Sequence, residues 1–90
     1  MRTGIYAGSF FKVFSQLLDE ASVTCYQLHE YTGLDQAYLS RLRSGEKRNP
    51  TPETIMKISL GLVHYSSKVE ISDIEELFRS AGRSLHVYSY

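Results

Sequence analysis

Thr24-Cys25-Tyr26-Gln27-Leu28-His29-Glu30-Tyr31-Thr32-Gly33-Leu34-Asp35-Gln36-Ala37-Tyr38-Leu39-Ser40-Arg41-Leu42-Arg43-Ser44 is the stretch whose reading decides the fold. Thr24 to Gln27 has the form of a capping box: the hydroxyl takes one orphan N–H and the glutamine reaches back to another. Gly33 ends that helix, because the residue past a helix end often needs positive φ. Asp35 then caps a second helix, Gln36 to about Ser44, and Gly45 stops it. Leu28 packs beneath the turn, and Leu39 and Leu42 pin the second helix onto the first. Two short helices around a tight glycine turn form a helix-turn-helix, about residues 24–44. The free face of the second helix carries Gln36, Ala37, Ser40 and Arg41. Glutamine and arginine are the side chains that read adenine and guanine edges in pairs of hydrogen bonds.

Working outward, the helical pattern continues on both sides. Phe10, Phe11, Phe14, Leu17, Leu18 and Ala21 recur at three- and four-residue steps after a Ser9 N-cap, which predicts a first helix with one apolar face. Downstream, Glu46 to Pro50 is a polar loop. Thr51 caps a fourth helix with Pro52 at its first position, where the missing N–H costs nothing. Ile55, Met56, Ile58 and Leu62 form its expected apolar face, Gly61 weakens it near its end, and residues 64–69 read as loop. Ser72-Asp73-Ile74-Glu75 reads as another capping box. It opens a fifth helix with Ile74, Leu77, Phe78 and Ala81 inward and Gly82 as its stop. Residues 1–8 then form an N-terminal arm, 9–82 the domain and 83–90 a C-terminal tail. That tail alternates Leu85 and Val87 with His86, Tyr88 and Tyr90, and is either a short strand or a frayed end.

Ninety residues with ten basic and ten acidic side chains allow one domain with a modest core. A single cysteine, Cys25, excludes an internal disulfide framework and a cysteine-rich zinc site. His29, His64 and His86 are too scattered to expect a metal. No cofactor is expected, and no nucleophile, base and orienting group come together, so the expectation is a non-enzyme. No stretch approaches the roughly 20 apolar residues that a bilayer needs. The expected compartment is a reducing cytoplasm, with no membrane partner.

Leu28, Gly33, Leu39, the Ser40-Arg41-Leu42 step, Gly45 and the run Arg48-Asn49-Pro50-Thr51-Pro52-Glu53-Thr54 resemble the lambda repressor/Cro-type (XRE) DNA-binding domain over about residues 10–62. The resemblance implies an all-α, compact five-helix lambda-repressor-like bundle containing the helix-turn-helix. It implies a transcriptional regulator, a repressor by preference, that binds a two-fold duplex-DNA operator as a homodimer. Carried onto this sequence, Gln36, Ala37, Ser40 and Arg41 become base-reading candidates. Thr24, Cys25, Tyr38, Arg43, Ser44, Lys47, Arg48, Asn49 and Thr51 become phosphate candidates. Backbone N–H groups at the starts of both motif helices add anion-binding capacity. Apolar residues beyond the family core (Ile71, Ile74, Leu77, Phe78, Leu85 and Val87) become dimer-face candidates.

The sequence departs from the family pattern at four positions. Cys25 stands where the family usually has a glutamine that braces a phosphate. His29 stands where alanine usually permits close approach of the motif helices, so its ring must tilt outward or widen the packing. Leu18 and Arg43 replace an arginine on helix 1 and a glutamate late in the reading helix. Losing both partners together avoids the cost of one stranded charge. Leu18 is therefore expected in the core, and Arg43 in solvent or on a phosphate. A second reading stays open: a protein-interaction module of the same fold, of antitoxin or phage accessory type, with weak or no DNA binding.

The zero net charge is unevenly spread. Residues 36–60 hold Arg41, Arg43, Lys47, Arg48 and Lys57 against Glu46 and Glu53, a net of +3. Residues 1–35 carry −2 and residues 61–90 carry −1. The positive excess lies on the segment expected to meet DNA, and the acidic ends weaken sequence-independent binding.

Overall fold

The computed structural model describes residues 9–47 and 49–82, and these form five helices: α1 (Phe10–Ala21), α2 (Cys25–Thr32), α3 (Gln36–Ser44), α4 (Pro52–Tyr65) and α5 (Ile71–Ser80). The arm at 1–8 and the tail at 83–90, with Leu85 and Val87, lie outside the described residues. Helix α1 is the central element and packs on α3, α4 and α5; α2 packs on α3 and α4. Its apolar stripe supplies Phe10, Val13, Phe14, Leu17, Leu18 and Ala21 to the core. Leu18 is buried, as expected for an apolar residue in place of the family's arginine.

The polar punctuation acts largely where expected. Thr24 Oγ1 accepts from the Gln27 N–H at 3.1 Å, and Gln27 Oε1 accepts from the Thr24 N–H at 2.9 Å. Asp35 accepts from the Tyr38 N–H, and Thr51 from the Thr54 N–H. Ser9 occupies its expected cap position but acts through its carbonyl, which accepts from Lys12 and Val13; its side chain makes no cap hydrogen bond.

Three expectations need correction. The fifth helix begins earlier than Ser72: Glu70 is its N-cap, and the Glu70 N–H donates to Asp73 at 2.9 Å. Met56 is 41% exposed, because Ile55, Ile58, Ser59 and Leu62 are the inward residues of α4 and Met56 lies one step round the helix. Ser59 is tolerated inside because its hydroxyl donates to the Ile55 carbonyl at 2.8 Å. Finally, α4 runs through Gly61 to Tyr65, so His64 and Tyr65 are helical rather than loop.

Gly61 stands at a close approach. A Cβ there would lie 2.7 Å from Leu28 Cδ2, so the missing side chain lets α4 seat directly on the first motif helix. The helix is held at its far end by ring contacts instead. His64 stacks on Tyr31 with centroids 4.2 Å apart, and Tyr65 meets His64 edge-on.

Candidate nucleic-acid interface

The turn between α2 and α3 is fixed from both sides. Gly33 takes φ +79° and its N–H donates to the His29 carbonyl at 2.9 Å. No atom crowds it, so positive φ alone selects glycine here. Thr32 Oγ1 donates to the Leu28 carbonyl at 2.6 Å and accepts from the Leu34 N–H at 3.1 Å. The His29 ring reaches across the turn: Nδ1 lies 2.7 Å from the Leu34 carbonyl oxygen and donates to it in the matching tautomer. A histidine in the family's alanine position thus serves as a brace across the turn. Leu28, Leu39 and Leu42 are completely buried beneath it.

With its inner face locked, α3 presents the other to solvent. Gln36, Ala37, Ser40 and Arg41 are all exposed. None of the Gln36, Ser40 and Arg41 side chains has a hydrogen bond or ion pair to another described residue. The following loop hangs on one acceptor. The Arg41 carbonyl receives the N–H groups of Gly45 at 3.1 Å and Lys47 at 3.0 Å, and the Ser44 hydroxyl at 3.2 Å. This fixes Lys47, which is exposed, close to the end of α3. Asn49 is exposed with φ +58°, a conformation that asparagine adopts more readily than most residues. Arg48 lies outside the described residues.

The other phosphate candidates divide by how their polar groups are used. Thr24, Ser44 and Thr51 spend their hydroxyls on the caps and the loop. Tyr38 and Cys25 are half-buried and pack against the core, Cys25 as the first residue of α2. The two helix starts also differ. Asp35 already places a carboxylate on the first turn of α3, whereas α2 is capped by neutral residues. The α2 start is therefore the less acidic of the two, and its Cys25 and Tyr26 N–H groups lack intrahelical acceptors. Tyr26 lines the groove at that end. The Glu30 carboxylate beside it pushes the phenol above its ordinary pKa.

Arg43 is the clearest correction. Its Nη2 donates to Asp19 Oδ1 at 2.6 Å and its Nε to Ser15 Oγ at 3.2 Å. The side chain is thus tied to α1 and is not free in solvent. Ser15 and Asp19 lie four residues apart on one flank of α1, beside the buried stripe. The ion pair between helix 1 and the reading helix has thus been rebuilt one residue along, with its polarity reversed. Residue-by-residue comparison with the family pattern missed it, because the acid stands next to the expected position. The signal was the Ser15/Asp19 spacing opposite an unpaired Arg43.

Dimer-face candidates on α5 also need correction. Leu77 and Phe78 are buried in the protomer's own core, and Ile74 packs against it. Helix α5 has to cover α1 and α4, which consumes its apolar face. Ile71, 66% exposed, is the described candidate left open. Among the described residues no three His, Cys, Asp or Glu side chains gather as a metal site would need, and no helix is long and apolar enough to cross a membrane.

The model of the Cro/C1-type HTH DNA-binding domain matches residues 14–62, which span α1 from Phe14, the whole motif and most of α4. The chain belongs to this family, whose partner is DNA. No curated protein and no solved structure matches the chain.

Proposed function

We propose that the chain is a sequence-specific transcriptional regulator, a repressor by preference, that sets α3 in the major groove of a two-fold operator as a homodimer. The observation that carries this reading is the outer face of α3. Gln36, Ser40 and Arg41 are exposed, and unpartnered among the described residues, on a helix whose inner face is fixed by Leu39 and Leu42. Side chains already ordered by their helix, with donors and acceptors unspent, fit base edges. Ala37 offers a methyl for thymine contact. Lys47, Arg48 and Asn49 follow directly and supply phosphate register, and the neutral N-terminus of α2 supplies a second anchor.

Selection of bound duplexes from a random pool, with affinity followed against salt, tests this function. The expected result is an enriched two-fold sequence and an affinity that falls steeply with salt. Affinity independent of salt, with no enriched sequence, would overturn it. That outcome favours the protein-interaction module, a reading that draws on the lost glutamine at Cys25 and on Arg43 being tied to α1.

A further inference from the structure

Arg43 stands at the rim of the proposed DNA face. With Gln36, Ser40 and Ser44 it lines the groove that separates α3 from the start of α2. Its side chain is one-third exposed, yet two of its donor positions are turned back onto α1. Asp19 is 70% exposed in its side chain, and the core does not need its carboxylate. A guanidinium at the rim of a reading helix reaches phosphates of every sequence, and each cation so placed strengthens sequence-independent binding. A carboxylate beside it both fixes the guanidinium and repels an approaching phosphate.

We propose that Asp19, assisted by Ser15, is a specificity-determining residue that withholds Arg43 from the DNA backbone. The inference rests on the DNA-binding reading above. Its mechanism is purely electrostatic and conformational. With Asp19 in place, Arg43 crosslinks the reading helix to α1 and the neutral chain keeps a weak grip on random DNA. Without the carboxylate, the same guanidinium is free to add a phosphate contact beside Gln36 and Ser40. The overall neutrality of the chain and this tie act in the same direction, leaving more of the affinity to base contacts.

The test is a cycle of Asp19→Asn, Arg43→Gln and the double variant in the full chain. Each is titrated against a random-sequence duplex and the selected operator over a range of salt. Circular dichroism first establishes that each variant is folded, as expected for two partly exposed positions. Asp19→Asn should tighten random-duplex binding about fivefold near 0.1 M salt and steepen the salt slope by about one unit, the signature of one added phosphate contact. Operator binding should gain less, so discrimination between the two duplexes falls. The double variant should return to the wild-type slope. Asp19→Asn leaving random-duplex affinity unchanged or weaker would overturn the proposal. So would an Asp19→Asn gain that persists in the Arg43→Gln background, since it would then come from removing a negative charge and not from releasing Arg43. Wild-type protein without salt-dependent affinity for any duplex would instead overturn the DNA-binding reading itself, and this inference with it.

Discussion

Helix α3 buries Leu39 and Leu42 and holds Gln36, Ala37, Ser40 and Arg41 in solvent; α5 buries Leu77 and Phe78 and holds Ile71, Ser72 and Arg79 there. Both helices are short, and both fix their inner faces in one core. They differ in what the outer face has left to offer. On α3 the Gln36, Ser40 and Arg41 side chains make no hydrogen bond or ion pair among the described residues. On α5 Arg79 is paired with Glu76, and Asp73, Glu75 and Glu76 make the surroundings acidic. Helix α3 thus carries a net positive charge and α5 a net negative one. Among the described candidates for a second copy, Ile74, Leu77 and Phe78 have been spent on the protomer. The comparison teaches that an apolar residue beyond a family's core is not thereby surplus: in a chain of this size the fifth helix is needed to close α1 and α4.

The comparison breaks most readily at its buried halves. Leu77→Ala should cost about 2–5 kcal/mol of stability, the range for a leucine removed from a packed core. Urea unfolding measures it. A loss below about 1 kcal/mol, coupled to a change in association state, would return Leu77 to an intermolecular role.

Arg41→Ala separates the outer faces. It should cost about 1–3 kcal/mol of operator binding and relax one operator position, while stability stays within about 0.5 kcal/mol. Competition binding against operator variants, together with thermal melting, checks both halves. Unchanged operator affinity and sequence preference would show that α3 does not dock through this face.

Gly61→Ala probes the seat of α2 on α4. Overpacking against Leu28 costs about 1–3 kcal/mol, and the gain in helix propensity returns up to about 1 kcal/mol. A net loss of about 1 kcal/mol is expected in denaturant unfolding. A stabilised variant would mean that Leu28 yields freely.

The smallest effect belongs to Ile71→Ser. Monomer stability should change by no more than about 0.5 kcal/mol, since the side chain is exposed. Sedimentation on operator DNA sharpens its role: weaker dimer formation would place Ile71 against a second copy, and unchanged association would move that contact elsewhere.

Most of the motif was legible in order along the chain, because each of its signals is local. Thr24 with Gln27, Gly33, Asp35, Gly45 and Thr51 act within four residues of themselves, so their chemistry is written in sequence spacing. The leucine pattern of α2 and α3 then decides which face of α3 is left in solvent. The fifth helix was legible as a helix but not in its start. Glutamate is an uncommon cap, and the serine two residues on offered a more familiar signal. Gly61 was read as weakness because its partner, Leu28, lies thirty-three positions away in the chain.

By itself the sequence determined an all-α chain with a helix-turn-helix and a polar outer face on its second helix, since local capping and the three-to-four-residue apolar period suffice for that. Tertiary structure decided what the period cannot see. It spent Leu77 and Phe78 on the core, turned His29 into a brace of the motif turn, and handed Arg43 to Ser15 and Asp19. Each outcome depends on which groups arrive opposite one another when helices pack. Burial and charge pairing are settled by distance in space, and spacing along the chain does not fix that distance.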